Sequence, residues 1–153
     1  MLGSNSTVAT NTDLRELNGG KGVKVNESLA DLRITLSDGT QFDVKIPSST
    51  DSIPQTLQAA ITAILSAVPS TAAGKLDVRF NPQLKRLELT DRSNGTSGPF
   101  QVAALNNSQA GAAGLGLGIL GKVAKPRTDG LFVLDGAALH GDTMANHVFL
   151  VSN

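Results

Sequence analysis

The sequence contains no cysteine, no tryptophan and no tyrosine, and its only aromatic residues are five phenylalanines. Without cysteine there is no thiol nucleophile, no thiolate metal site and no redox switch. Without Trp or Tyr the usual stacking platforms for sugar rings are missing. An excess of one charge is missing too: 13 Lys and Arg balance 13 Asp and Glu over 153 residues, with no basic run. That balance removes the electrostatic footprint of general DNA or RNA binding, so no nucleic-acid partner is expected. No apolar run approaches the roughly 20 residues of a membrane helix, and no membrane insertion is expected. The opening MLGSNSTVATNT lacks a basic n-region and an apolar h-region, so no Sec-type export signal is visible.

What is present suits a modest globular domain. At this length a chain buries roughly two-thirds of its unfolded surface and folds without a disulfide or metal staple. Residues 1–12 are mostly Ser, Thr, Asn and small residues and read as a flexible arm or linker. LNGGKGV, residues 17–23, reads as a turn, with Val23 and Val25 starting a short strand. Apolar residues then fall on even positions: Leu32, Ile34 and Leu36, followed by Phe42, Val44 and Ile46. A three-residue loop, Ser37-Asp38-Gly39, keeps both sets on one face, pairing Ile34 with Phe42 and Leu32 with Val44.

One helix is expected over residues 52–68. Ser52 and Gln55 have capping-box spacing, Pro54 lies in the first turn, and Pro69 ends the element. Ile53, Leu57, Ala60, Ile61, Ile64, Leu65 and Val68 form an apolar stripe. A second hairpin follows, in which the four residues 82–85 pair Phe80 with Leu87. Phe100, Val102 and Ala104 suggest another strand, and Leu115, Leu117 and Ile119 read as an apolar loop tucked under a sheet edge. Residues 122–127 read as a basic connector, and residues 131–134 and 147–151 as terminal strands. The fold class is therefore α+β: antiparallel β-hairpins packed on one main α-helix, in the order hairpin, helix, hairpin, with a C-terminal β extension. One mainly antiparallel sheet is expected, with its outer face polar.

The sequence offers little catalytic chemistry. His140, Asp142 and His147 form its most metal-like cluster, but their spacing matches no established zinc site. Asp31, Asp38, Asp43, Asp51, Asp77, Glu88 and Asp91 look scattered over turns and exposed strand faces, without a paired acid and base. Neither a Gly-x-Ser-x-Gly elbow nor an EF-hand loop occurs. No catalytic residue, metal or cofactor is expected. Asn5, Asn26, Asn94 and Asn106 each begin an Asn-x-Ser/Thr sequon.

Read in order, DLRELNGGKGV, DLRITLSDGTQFDVKI, LQAAITAI, LDVRFNPQLKRLELTD and FQVAALNNSQAGAAGLGLG resemble the flagellin hook IN motif over residues 14–118. That motif occurs in flagellins, hook-associated proteins and large repetitive bacterial surface proteins. The resemblance implies a structural or interaction domain without catalytic residues. The chain lacks the heptad-patterned terminal helices of a complete flagellin, so an outer-domain-like module is implied. The tail LDGAALHGDTMANHVFLVSN resembles a segment that follows such modules in long surface proteins.

The expected organisation is an arm at residues 1–12, a hook IN-like α+β domain at 13–121, and a connector with a hairpin-like extension at 122–153. The expected function is a non-enzymatic module of an extracellular appendage or bacterial cell surface, whose partners are copies of itself or neighbouring domains. Strand addition through Leu131 and Val133, or through His147, Phe149 and Val151, is the expected mode of assembly. A head-to-tail contact would build a filament. The alternative is an adhesin domain that binds glycan or calcium through loops at residues 91–99 and 140–147.

Overall fold

The computed structural model describes residues 8–141. It is an α+β fold with two antiparallel sheets and one α-helix, where the sequence pointed to a single sheet. The first sheet has the order β2-β1-β5-β6, formed by Gln41–Val44, Leu32–Thr35, Phe100–Ala104 and Gly121–Val123. The second, β3-β4-β7, is formed by Leu76–Asn81, Arg86–Asp91 and Phe132–Asp135. The helix α1, Leu57–Ala67, packs on β2 of one sheet and β3 of the other. At the opposite ends of the two orders, β6 packs on β7. One apolar core fills the space between, because alternation sends Leu32, Ile34, Phe42, Val44, Val78, Leu87, Leu89, Phe100, Val102, Phe132 and Leu134 inward. Two sheets rather than one follow from this seam: two edges share the helix, and the other two meet.

Both hairpin registers agree with the parity of the sequence. Ile34 faces Phe42 and Leu32 faces Val44, with Gly39 at φ +94° in the bulged loop. Phe80 faces Leu87 across the loop 82–85, where Lys85 takes φ +56°. The outward residues are polar and cross-paired, as in the Arg33–Asp43 ion pair at 2.9 Å.

Four expectations are corrected. The helix begins at Leu57, not Ser52, because Pro54 disfavours helical backbone at Ile53 and the Ile53 N–H is taken by Thr50 Oγ1. Thr56 is the N-cap, its Oγ1 accepting from Ala59 N–H, and Ile53 stays in solvent at 62% exposure. Residues 8–12 of the expected arm are part of the fold: the Thr12 and Thr10 carbonyls accept from the Leu57 and Gln58 N–H groups, and Val8 joins the core. These residues satisfy the helix start, which the composition of a polar segment does not reveal. Val23 and Val25 form no strand: Lys24 N–H makes a lone bond to the Leu115 carbonyl in the apolar loop, and Val25 N–H turns back to the Val23 carbonyl. The basic connector opens as β6, with Lys122 facing Gln101 on β5.

Candidate functional site

The polar interior is organised around two buried carboxylates. Asp31, wholly buried just before β1, accepts from the backbone N–H of Asn26 at 2.6 Å and Ile46 at 2.8 Å. It also accepts from Ser108 Oγ at 2.5 Å and Lys45 Nζ at 3.1 Å. Four donors from three segments, at residues 26, 45–46 and 108, thus converge on one side chain. Asp91, wholly buried at the end of β4, accepts from Ser37 N–H at 2.6 Å and Ser93 N–H at 2.8 Å. These two correct the expectation that every such carboxylate lies on turns and exposed faces.

Asp91 anchors a clasp between the sheets. Ser37, in the β1–β2 loop, gives its N–H to Asp91 and its carbonyl to Ser97 N–H, while its Oγ lies 3.0 Å from Ser93 Oγ and accepts from Gly95 N–H. Beside it, Asp38 accepts from Lys75 Nζ at 2.9 Å, linking the loop to the start of β3. That hydrogen bond, helped by Thr40 N–H, holds the Asp38 carboxyl down to about 2. Gly95 is required because a Cβ there would lie 2.1 Å from Asp38 N.

A third polar group sits at the helix entry. Asp13 accepts from the Arg15 guanidinium at 2.9 Å and from Ser49 Oγ at 2.7 Å; the Arg15 hydrogen bond is the main reason its carboxyl falls to about 2. Asp51 pairs with the same guanidinium. A cleft of about 290 Å³ lies nearby, lined by Arg15, Lys21 and the glycine turn. The turn does not present a row of free amides: Gly19, Gly20, Lys21 and Gly22 donate to Gly141, Leu17, Asn18 and Leu17 carbonyls.

Of the proposed assembly residues, Leu131 and Val133 are half-buried at the start of β7. Their strand completes its own sheet, with Val133 opposite Thr90 and Leu134 opposite Leu89. His147, Phe149 and Val151 lie outside the described residues, as do Asp142 and Asn5. His140 is placed by its backbone, whose carbonyl accepts from Asn18 N–H. Its neighbour Leu139 bonds to Lys85, whereas the loop after Asp91 leaves from the other end of β4. The described parts of the two expected ligand loops are thus kept apart.

The loop 94–99 does line a cleft of about 430 Å³, with Asn94, Thr96 and Pro99 on one side and Pro126, Gly130 and Phe132 on the other. Neither Pro126 nor Phe132 marks such a site in the sequence. Two sequon asparagines are structural. Asn26 Oδ1 accepts from Ser28 and Leu29 N–H, and Asn106 Nδ2 donates to the Ala30 carbonyl. Among the described residues, no three His, Asp or Glu side chains are grouped to hold a metal ion, and no helix is long and apolar enough to cross a membrane. No family model, curated protein or solved structure matches the chain.

Proposed function

We propose that this chain is a non-enzymatic structural or interaction module of a bacterial extracellular appendage or surface protein, associating with copies of itself or with neighbouring domains. The observation that carries this reading is the use made of the polar interior: Asp31 and Asp91 are spent on bracing loops against sheets. Oxygens committed to internal donors stiffen a domain rather than face a ligand. The order of motifs over residues 14–118, which resembles the flagellin hook IN motif, supports the same reading. Sedimentation and electron microscopy over a wide concentration range test it. Concentration-dependent association is the expected result. A truncation made alongside must stop before Val8, since that residue is in the core.

The cleft beside residues 94–99 favours a second reading, a ligand-binding adhesin domain. Its lining carries no carboxylate, so calcium would find amide, hydroxyl and carbonyl oxygens only. Thermal unfolding with calcium, with a chelator and with a panel of glycans separates the two. A ligand-dependent rise in Tm favours the adhesin reading.

A further inference from the structure

The sequence contains two Asn-Gly pairs, at Asn18-Gly19 and Asn94-Gly95. An asparagine followed by glycine is chemically exposed, because no side chain hinders the glycine nitrogen from reaching the asparagine Cγ. The fold treats the two pairs differently. The Asn18 side-chain amide donates to the Gly22 carbonyl at 2.8 Å and to the Gly116 carbonyl at 3.0 Å. The attacking nitrogen, Gly19 N, is held on the Gly141 carbonyl. Asn94 is exposed, and among the described residues its side-chain amide has no hydrogen-bond partner. Gly95 N donates to Ser37 Oγ at 3.1 Å, much as Gly19 N does to the Gly141 carbonyl at 3.2 Å, so the two pairs differ at the asparagine side chain.

We infer that Asn94-Gly95 is a site of spontaneous deamidation in the folded protein, and that Asn18-Gly19 is protected from it. When the loop opens, Gly95 N attacks Asn94 Cγ and gives up its proton. The bond from Cγ to Nδ2 breaks, and Nδ2 leaves as ammonia carrying that proton. Water then opens the resulting succinimide. Attack at the Cγ carbonyl gives aspartate at position 94; attack at the other carbonyl gives isoaspartate, with the main chain rerouted through Cβ. Water is the sole co-reactant and no redox change occurs. The position matters because the backbone of Gly95 is packed against Asp38, with only 2.1 Å between a hypothetical Cβ and Asp38 N. An isoaspartate lengthens the main chain next to the clasp between the sheets. An aspartate adds a negative charge at the rim of the cleft of about 430 Å³.

The test is peptide mapping of the full chain by mass spectrometry after incubation in mildly alkaline buffer, native and in denaturant, with isoaspartate quantified at both positions. In the native protein, conversion at Asn94 is expected at least about tenfold faster than at Asn18, the ratio that ~1.4 kcal/mol of extra local protection gives. In denaturant the two positions should convert at similar rates, which assigns the selectivity to the fold. Asn94→Gln should abolish the main acidic species seen on isoelectric focusing. Equal native rates at the two positions would overturn the inference. So would an intact Asn94 over a period in which the denatured chain converts, or an acidic species that persists in Asn94→Gln.

Discussion

Asp91 accepts a 2.6 Å hydrogen bond from the backbone N–H of Ser37, a residue 54 positions earlier and in the other sheet's first hairpin loop. Both residues are wholly buried, so this contact fixes the two sheets at one corner without exposure to competing water. Replacing the carboxylate leaves the N–H groups of Ser37 and Ser93 without their acceptor. Asp91→Ala is expected to destabilise the fold by about 3 kcal/mol, since each orphaned buried donor costs about 1–3 kcal/mol. Urea unfolding measures this. A loss below about 0.5 kcal/mol, the range of an ordinary surface change, would show that the clasp contributes nothing.

The clasp also separates glycines that look alike in the sequence. A Cβ on Gly95 would lie 2.1 Å from Asp38 N, whereas a Cβ on Gly98 meets nothing within 4 Å. Gly95→Ala must push backbone from backbone, and a loss of about 3 kcal/mol or more is expected. Gly98→Ala should stay within about 0.5 kcal/mol of the parent or gain slightly from a stiffer unfolded chain. Thermal melts of the two variants, compared directly, check the contrast.

Much of the β-structure was legible because parity is a strict constraint. Six even-numbered apolar positions from Leu32 to Ile46 leave one hairpin register that buries all of them, and Phe80 opposite Leu87 follows by the same reasoning. Parity says nothing of which hairpin joins which sheet. The split into two sheets depends on α1 seating between β2 and β3, a non-local fact. Asp91 carried one usable signal, its spacing to Ser93, which allows the side chain to accept from a backbone N–H two residues on. Asp31 carried none, because its donors lie from five to 77 residues away and at no spacing of a local turn motif.

The helix start shows a local rule overridden by another. Ser52 and Gln55 have the spacing of a capping box, but the side chain that caps is that of Thr56, which bonds to Ala59 N–H. Thr56→Ala is expected to cost about 1 kcal/mol and Ser52→Ala close to nothing. Equilibrium denaturation of the pair measures both. The reverse order would place the helix start four residues earlier.

Acid sensitivity follows from two depressed carboxyls. Asp13, held by Arg15, and Asp38, held by Lys75, titrate near 2 in the fold against an ordinary value of 3.8. Between these values the unfolded chain binds more protons than the folded one. The stability they contribute is therefore fully present above 3.8 and is lost as pH falls through about 2. With solvent screening, each contributes on the order of 1 kcal/mol. Unfolding midpoints of the parent and Asp38→Asn, taken from roughly pH 5 down to pH 2, check this; the variant should show the shallower decline.

We propose that this braced domain associates as a structural module. Sedimentation of the full chain over a wide concentration range, with electron microscopy of the same samples, tests it most directly. Larger species that grow with concentration are expected, filamentous if the contact is head-to-tail. A monomer at every concentration, stabilised by a glycan or calcium in thermal unfolding, would contradict it.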